Sequence, residues 1–76
     1  MSKFIQITDF IQFVESELLL NAGEVSATSE FRDLRTWSSL NALILISRIN
    51  EETDFVITAS DLASCKTIED LHQLLK

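Results

Sequence analysis

The chain has 76 residues, of which 46% are hydrophobic, with one glycine, no proline and a net charge of −6. This composition excludes a disordered chain and leaves few of the tight turns that an all-β fold requires. The negative charge repels nucleic acids and anionic membranes, so we expect neither as a partner. We predict one all-α domain over residues 1–76.

Cysteine content and the N-terminal sequence indicate the compartment. The single cysteine, Cys65, excludes an internal disulfide, which fits a reducing environment. The first residues lack the basic and apolar regions of a secretory signal, and no apolar run reaches membrane-spanning length. We therefore expect a soluble, cytoplasmic and monomeric protein.

The first predicted helix extends from Ile5 or Thr8 to about Leu20. Its apolar residues recur at helical spacing and form one stripe: Ile7, Phe10, Ile11, Val14 and Leu18. Gly23 can adopt the left-handed conformation that commonly follows a helix, so we expect the helix to end just before it.

A long polar connection over residues 24–37 follows the first helix. Large apolar residues interrupt it at every third position, at Phe31, Leu34 and Trp37. We expect these residues to hold the connection against the core. A connection of this length in so small a domain is uncommon and often functional.

The second helix is predicted to begin at Ser38 or Ser39, since either serine can serve as N-cap, and to end near Asn50. It carries apolar residues on two opposite sides. One stripe consists of Ala42, Leu45, Ile46 and Ile49, and the other consists of Leu40, Leu43, Ile44 and Ser47. The bundle core needs only one stripe, so the second must cover a neighbouring helix, a ligand or a partner protein.

Two short helices are predicted near the C-terminus. Thr58 or Ser60 can cap a helix that runs through Cys65, and Thr67 with Asp70 resembles a capping box at the start of the last helix. The core face of the last helix is predicted to consist of Ile68, Leu71, Leu74 and Leu75. In the preceding loop we expect the three apolar residues Phe55, Val56 and Ile57 to point inward.

The sequence offers little support for catalysis or metal binding. His72 is the only histidine, and we interpret it as a surface residue, with Cys65 as a small buried thiol. Ser39 has no base near it in the sequence, which disfavours a hydrolytic enzyme. The acids Glu51, Glu52 and Asp54 are more simply a solvated helix end than an acid–base pair.

The charge distribution singles out the segment around Ser39. Residues 31–50 carry three arginines and one aspartate, a net of +2, whereas residues 1–30 and 51–76 each carry a net of −4. A basic segment that contains a serine at a helix start would suit a phosphate group. The alternative is that the arginines are ordinary solvated surface residues.

The residues Phe31-Arg32-Asp33-Leu34 and Trp37-Ser38-Ser39-Leu40, with an apolar helix after them, resemble an acyl carrier protein. In that family the serine of an Asp-Ser-Leu motif carries 4′-phosphopantetheine. The resemblance covers nearly the whole chain and includes the segments 54–58 and 67–71. It implies a four-helix bundle with a long loop between helices 1 and 2, and 4′-phosphopantetheine attached covalently to Ser39.

The resemblance also implies a function. A free-standing carrier holds an acyl or related group as a thioester for fatty-acid, polyketide or related biosynthesis, and performs no catalysis itself. Its partners are a phosphopantetheinyl transferase and the enzymes that load and use the acyl group. The residues Leu40, Leu43, Ile44 and Ser47 would face the partner or the cargo. The alternative from another class is an unmodified helical module for protein–protein interaction.

Three features of this sequence depart from the family pattern. Ser38 stands where the family usually has aspartate, and Thr36 stands where it usually has glycine. The family's second helix is acidic, whereas here acids begin only at Glu51. We therefore predict that docking on partners depends less on charge than in acidic relatives.

Overall fold

The computed structural model describes residues 4–53 and 55–75, and its regular structure there is helical, which confirms the all-α class. The elements in chain order are α1 (Ile7–Glu17), a 3₁₀ turn (Phe31–Asp33), α2 (Ser39–Glu52), α3 (Ala59–Ala63) and α4 (Ile68–Gln73). Among the described residues, no helix has the length and apolar character needed to cross a membrane.

The end of α1 differs from the prediction, because the helix stops at Glu17 and does not reach Leu20. Leu19 takes the left-handed conformation with φ +57°. The N–H groups of Leu19 and Leu20 return to the carbonyls of Ser16 and Glu15, which forms a Schellman motif. Gly23 is also left-handed, with φ +88°, but it lies in a later turn.

The core is built from the predicted stripes of α1, α2 and α4. Its largest fully buried side chains are Phe10, Val14, Leu18, Phe31, Leu45, Ile49, Ile68, Leu71 and Leu75. Ile7 and Ile11 on α1 and Ala42 and Ile46 on α2 are half-buried at its border. Each helix therefore contributes one apolar face, as the helical periodicity predicts.

The connection between α1 and α2 is bound to the start of α4 by backbone hydrogen bonds. The N–H groups of Ile68 and Glu69 donate to the carbonyls of Ser29 and Ala27, at 3.0 and 2.9 Å, and an isolated antiparallel bridge joins Glu30 to Thr67. The first N–H groups of a helix have no partner within it. The connection supplies those partners, so it stabilises α4 while α4 holds it in place.

A buried carboxylate holds the first part of the connection. Glu15 is only 7% exposed, and its Oε2 accepts hydrogen bonds from the N–H groups of Gly23 at 2.8 Å and Val25 at 3.2 Å. Glu15 lies four residues after Ile11 and three before Leu18, so it belongs to the buried face of α1. The position of an acid within the apolar stripe of α1 is the sequence signal for this buried carboxylate.

The two predicted C-terminal caps are present, with shorter helices than expected. Thr58 and Asp61 form a capping box at α3, which ends at Ala63 and not at Cys65. Thr67 and Asp70 form the predicted capping box at α4. The Asp70 carboxylate accepts from the N–H groups of Thr67 and Lys66, and these hydrogen bonds lower its pKa.

Two predictions for the segment after α2 and for the end of α4 were wrong. Ile57 is buried, but Val56 is 80% exposed and Phe55 is at the border of exposure. The Asn50 amide binds both backbone groups of Ile57, at 2.8 and 3.2 Å, so Ile57 is the residue of this segment that is held against α2. Leu74, predicted in the core, is partly exposed at the edge of α4. Asp54 lies outside the described residues.

The interpretation of His72 as a surface residue was also wrong. His72 is 3% exposed, its Nε2 lies 2.6 Å from the Phe4 carbonyl oxygen, and its ring packs 5.7 Å from that of Phe10. It follows Ile68 by four residues and therefore shares the buried face of α4. Its role is to join the segment before α1 to the last helix.

We expect Glu15→Gln to lower the free energy of unfolding by about 1–3 kcal/mol, because a neutral amide replaces the carboxylate that accepts two backbone N–H groups and leaves an amide donor buried. Chemical denaturation of both proteins measures the difference. Glu69→Gln is the matched control, since Glu69 is exposed. Equal losses in the two variants would contradict a structural role for Glu15.

Candidate functional site

The two serines at the start of α2 have different positions and contacts. Ser38 is the N-cap, and its Oγ accepts from the N–H of Asn41 at 3.1 Å. Ser39 is the first helical residue, its side chain is exposed, and its hydroxyl has no hydrogen-bond partner among the described residues. Ser38 therefore satisfies the need for a cap and leaves the Ser39 hydroxyl available.

The N-terminus of α2 is open, whereas that of α4 is closed. In α4 the first three N–H groups are bound by the carbonyls of the connection and by Thr67. In α2 only the third N–H is bound, and the N–H groups of Ser39 and Leu40 have no partner within the described residues. An open helix N-terminus attracts anions through its N–H groups and the helix dipole.

The two departures from the family motif have structural roles at this site. Thr36 Oγ1 donates to the Leu18 carbonyl at 2.6 Å, and Asn41 Nδ2 donates to the Thr36 carbonyl at 2.6 Å. Thr36 thereby joins the end of α1 to the first turn of α2. Ser38 performs the capping that an aspartate would also perform at an N-cap.

The three arginines of the basic segment bind groups other than Ser39. Arg32 donates to the carbonyls of Leu62 and Cys65 at 3.0 and 2.8 Å, where α3 ends. Arg35 pairs with Glu24 at 3.1 Å, and this hydrogen bond lowers the pKa of the Glu24 carboxyl. The suggestion that these arginines serve a phosphate at Ser39 has no support in these contacts.

Arg48 is the centre of an ion-pair network on α2. It pairs with Glu17 at the end of α1, with Glu51 at 2.6 Å and with Glu52 at 3.2 Å. Hydrogen bonding to Glu17 and then to Glu51 raises the pKa of Arg48. Glu51 and Glu52 are thus already paired within the protein, and residues 39–47 carry no charge.

The second apolar stripe of α2 lies on the protein surface. Leu40 is 67% exposed, Leu43 60% and Ile44 42%, and Ser47 is exposed as well. None of the helices in the described residues covers this stripe. The stripe begins at the residue after Ser39, so apolar surface adjoins the available hydroxyl.

Trp37 connects the approach to Ser39 with the core. Its ring lies 5.1 Å from that of Phe31, which is fully buried, and Trp37 and Leu34 are half-buried against the core. The three apolar residues Phe31, Leu34 and Trp37 therefore hold the connection against the core, as predicted.

The candidate metal ligands are dispersed. Among residues 4–53 and 55–75, no group of three or more histidine, cysteine or acidic side chains could hold a metal ion. Cys65 is buried, as predicted, and burial raises the pKa of its thiol.

Comparison with known families identifies the class of this protein. The family model described as the phosphopantetheine attachment site matches residues 9–75. The chain therefore belongs to this family of carrier domains, whose cofactor is covalently attached 4′-phosphopantetheine. Neither the curated proteins nor the solved structures that were compared with the chain include a match.

The residues at the start of α2 fit this cofactor. A phosphodiester needs a hydroxyl that solvent can reach and is favoured by N–H groups that can receive its negative charge. The exposed Ser39 hydroxyl provides the first, and the N–H groups of Ser39 and Leu40, which have no partner in the part of the chain that the structure describes, provide the second.

We expect Trp37→Ala to lower the free energy of unfolding by roughly 1–3 kcal/mol, below the value for a fully buried aromatic because the ring is partly exposed. Thermal denaturation measures the loss. In the wild type, the tryptophan emission should be blue-shifted and only partly accessible to a quencher. An unchanged melting temperature in Trp37→Ala, together with red-shifted and readily quenched emission in the wild type, would show that Trp37 does not hold the connection.

Proposed function

We propose that Ser39 is the residue that carries 4′-phosphopantetheine, and that this protein holds an acyl or related group as a thioester for fatty-acid, polyketide or related biosynthesis. The observation that carries the proposal is the division of roles at the start of α2. Ser38 caps the helix, and Ser39 presents a hydroxyl beside two N–H groups, all three without a partner in residues 4–53 and 55–75.

The chemistry at Ser39 is the formation of one ester bond. The Ser39 oxygen forms a bond to the β-phosphorus of coenzyme A, the bond from that phosphorus to the bridging oxygen breaks, and 3′,5′-adenosine bisphosphate leaves. The hydroxyl proton passes to a base of the transferase, since no base of this chain contacts Ser39 in the described part. When bound, the cofactor supplies a thiol that can form a thioester.

The protein's own residues position this chemistry and do not catalyse it. The hydrogen bonds of Thr36 to Leu18 and of Asn41 to Thr36 fix the segment that leads into Ser39. A partner enzyme therefore contacts a defined surface. A tethered substrate also acts at a high effective concentration for each enzyme within reach. The partners of this function are a phosphopantetheinyl transferase and acyl-loading and synthase enzymes.

We propose that the exposed stripe of α2, formed by Leu40, Leu43, Ile44 and Ser47, faces these partners or the cargo. The support is its exposure and its position directly after Ser39. The cytoplasmic location, the monomeric state and the single domain over residues 1–76 stay predictions.

Intact mass after incubation with coenzyme A and a broad-specificity transferase tests the attachment. We expect the wild type to gain the mass of one phosphopantetheine group and Ser39→Ala to gain none. Ser38→Ala is the matched control: it should be modified, while its loss of a cap lowers stability by about 1 kcal/mol.

Two results would contradict the assignment. A mass gain that persists in Ser39→Ala would place the modification elsewhere, and fragmentation that locates it on Ser38 would exchange the roles of the serines. No gain in the wild type would favour the unmodified interaction module.

We expect the transferase rate on this protein to fall only weakly between low and physiological salt, because exposed charges are what salt screens and residues 39–47 carry none. Ile44→Glu should reduce kcat/KM several-fold, whereas Glu51→Gln should leave it near the wild-type value. Steady-state kinetics at two ionic strengths measures both effects. A larger loss in Glu51→Gln would show that docking depends on acids.

A further inference from the structure

The start of α2 has only half of the capping box that α3 and α4 have in full. In each of those two helices a threonine N-cap is paired with an aspartate at the third helical position, and the aspartate accepts from the N-cap N–H. In α2 the corresponding residues are Ser38 and Asn41. Ser38 Oγ accepts from the Asn41 N–H at 3.1 Å, but the Asn41 side chain binds a different group.

The Asn41 side chain is the end of a chain of two hydrogen bonds, which we call the Thr36 bridge. Asn41 Nδ2 donates to the Thr36 carbonyl at 2.6 Å, and Thr36 Oγ1 donates to the Leu18 carbonyl at 2.6 Å. Asn41 and Thr36 are both half-buried. A carbonyl oxygen can only accept, so an amide can form the first of these bonds and a carboxylate cannot.

The stability of the helix start alone does not account for an asparagine at position 41. An aspartate there would complete the capping box, as it does in α3 and α4, and its charge would interact favourably with the helix dipole. The hydrogen bond to the Thr36 carbonyl is the interaction that requires asparagine.

The Thr36 bridge encloses Ser39. The bond between Asn41 and Thr36 closes a backbone loop over residues 36–41, and the Ser38 cap closes a smaller one over residues 38–41. The Ser39 side chain is exposed, and within residues 4–53 and 55–75 nothing binds its hydroxyl. The position of that hydroxyl is therefore set by the backbone around it, which the bridge holds to the end of α1.

We propose that Asn41 is a positioning residue for the modification of Ser39: by binding Thr36 in place of the N-cap N–H, it fixes the backbone that presents the Ser39 hydroxyl to the reaction. This inference rests on the proposed function of Ser39. Asn41 does not touch the reacting atoms, and it acts through the backbone loop over residues 36–41.

The loss of a positioning residue should appear in the rate of the chemical step. Asn41→Asp and Asn41→Ala should each lower the single-turnover rate at saturating transferase roughly tenfold, because small misplacements of a reacting group are costly. The concentration of transferase that gives half the maximal rate should stay within about twofold, since the exposed surface of α2 is unchanged. Asn41→Ala introduces no charge, so an equal loss in both variants attributes the effect to the missing amide.

The other half of the bridge is tested at Thr36. Thr36→Val removes the hydroxyl that binds the Leu18 carbonyl and should also lower the single-turnover rate, whereas Thr36→Ser keeps a hydroxyl and should restore most of it. The double variant of Thr36→Val with Asn41→Ala should be no slower than the slower single variant, because both changes break one chain of bonds.

Asn50→Asp is the matched control on the same helix. Asn50 Nδ2 also donates to a backbone carbonyl, that of Ile57 at 3.2 Å, and lies nine residues after Asn41, about 14 Å along the helix. The change removes the same kind of bond and adds the same charge as Asn41→Asp. It should lower the melting temperature and leave the single-turnover rate at the wild-type value.

The measurements use the full chain, coenzyme A and the broad-specificity transferase, at a temperature where circular dichroism shows every variant folded. A slower single turnover in both Asn41 variants and in Thr36→Val, with wild-type rates in Thr36→Ser and Asn50→Asp, supports the inference. It is overturned if Asn41→Ala keeps the wild-type rate, if Asn50→Asp is slowed equally, or if Thr36→Ser is as slow as Thr36→Val. A wild type that gains no mass refutes the function of Ser39 itself, which is a distinct result.

Discussion

The fixing of the connection between α1 and α2 is the constraint on which the rest of the structure depends. Ordering each residue of a non-helical segment costs about 1–2 kcal/mol of conformational entropy. The bonds of Ala27 and Ser29 to the first turn of α4, the buried Glu15 carboxylate and the packing of Phe31 offset that cost. If the connection were loose, both the start of α4 and the position of Ser39 would be undefined.

The need of the first N–H groups of a helix for hydrogen-bond partners explains why the starts of α2 and α4 have different roles. Every helix begins with N–H groups that need partners. At α4 the connection binds them, so the helix start is closed and structural. At α2 the side chain of Ser38 accepts from one of them, the N–H of Asn41, and the N–H groups of Ser39 and Leu40 have no partner among the described residues. An exposed serine hydroxyl beside such N–H groups is an arrangement that suits a phosphodiester, and the chain belongs to the phosphopantetheine attachment site family.

Periodicity and capping rules predicted much of this structure, because they depend on residues close in sequence. They gave the stripes of α1 and α2, the caps at Thr58 and Thr67, and the pair of serines at α2. These rules failed where a residue distant in sequence determines burial. Glu15 is buried because it binds the connection, and His72 is buried because its ring contacts the Phe4 carbonyl. The left-handed Leu19 was missed because glycine is the expected residue, and Gly23 stood four positions further along the chain.

The contacts of the three arginines bear on how a carrier domain can keep its phosphopantetheine group mobile. An arginine clamp on the phosphodiester would be strong and directional, because a guanidinium can bind phosphate through two parallel hydrogen bonds. Here Arg32, Arg35 and Arg48 are bound to carbonyls and carboxylates of the protein. The attraction at Ser39 then comes from helix N–H groups and the dipole, which contribute about 0.3–1 kcal/mol at an exposed helix end. If Ser39 carries the cofactor as proposed, so weak a hold would favour the phosphate at this position and leave the rest of the phosphopantetheine group able to reach successive enzymes.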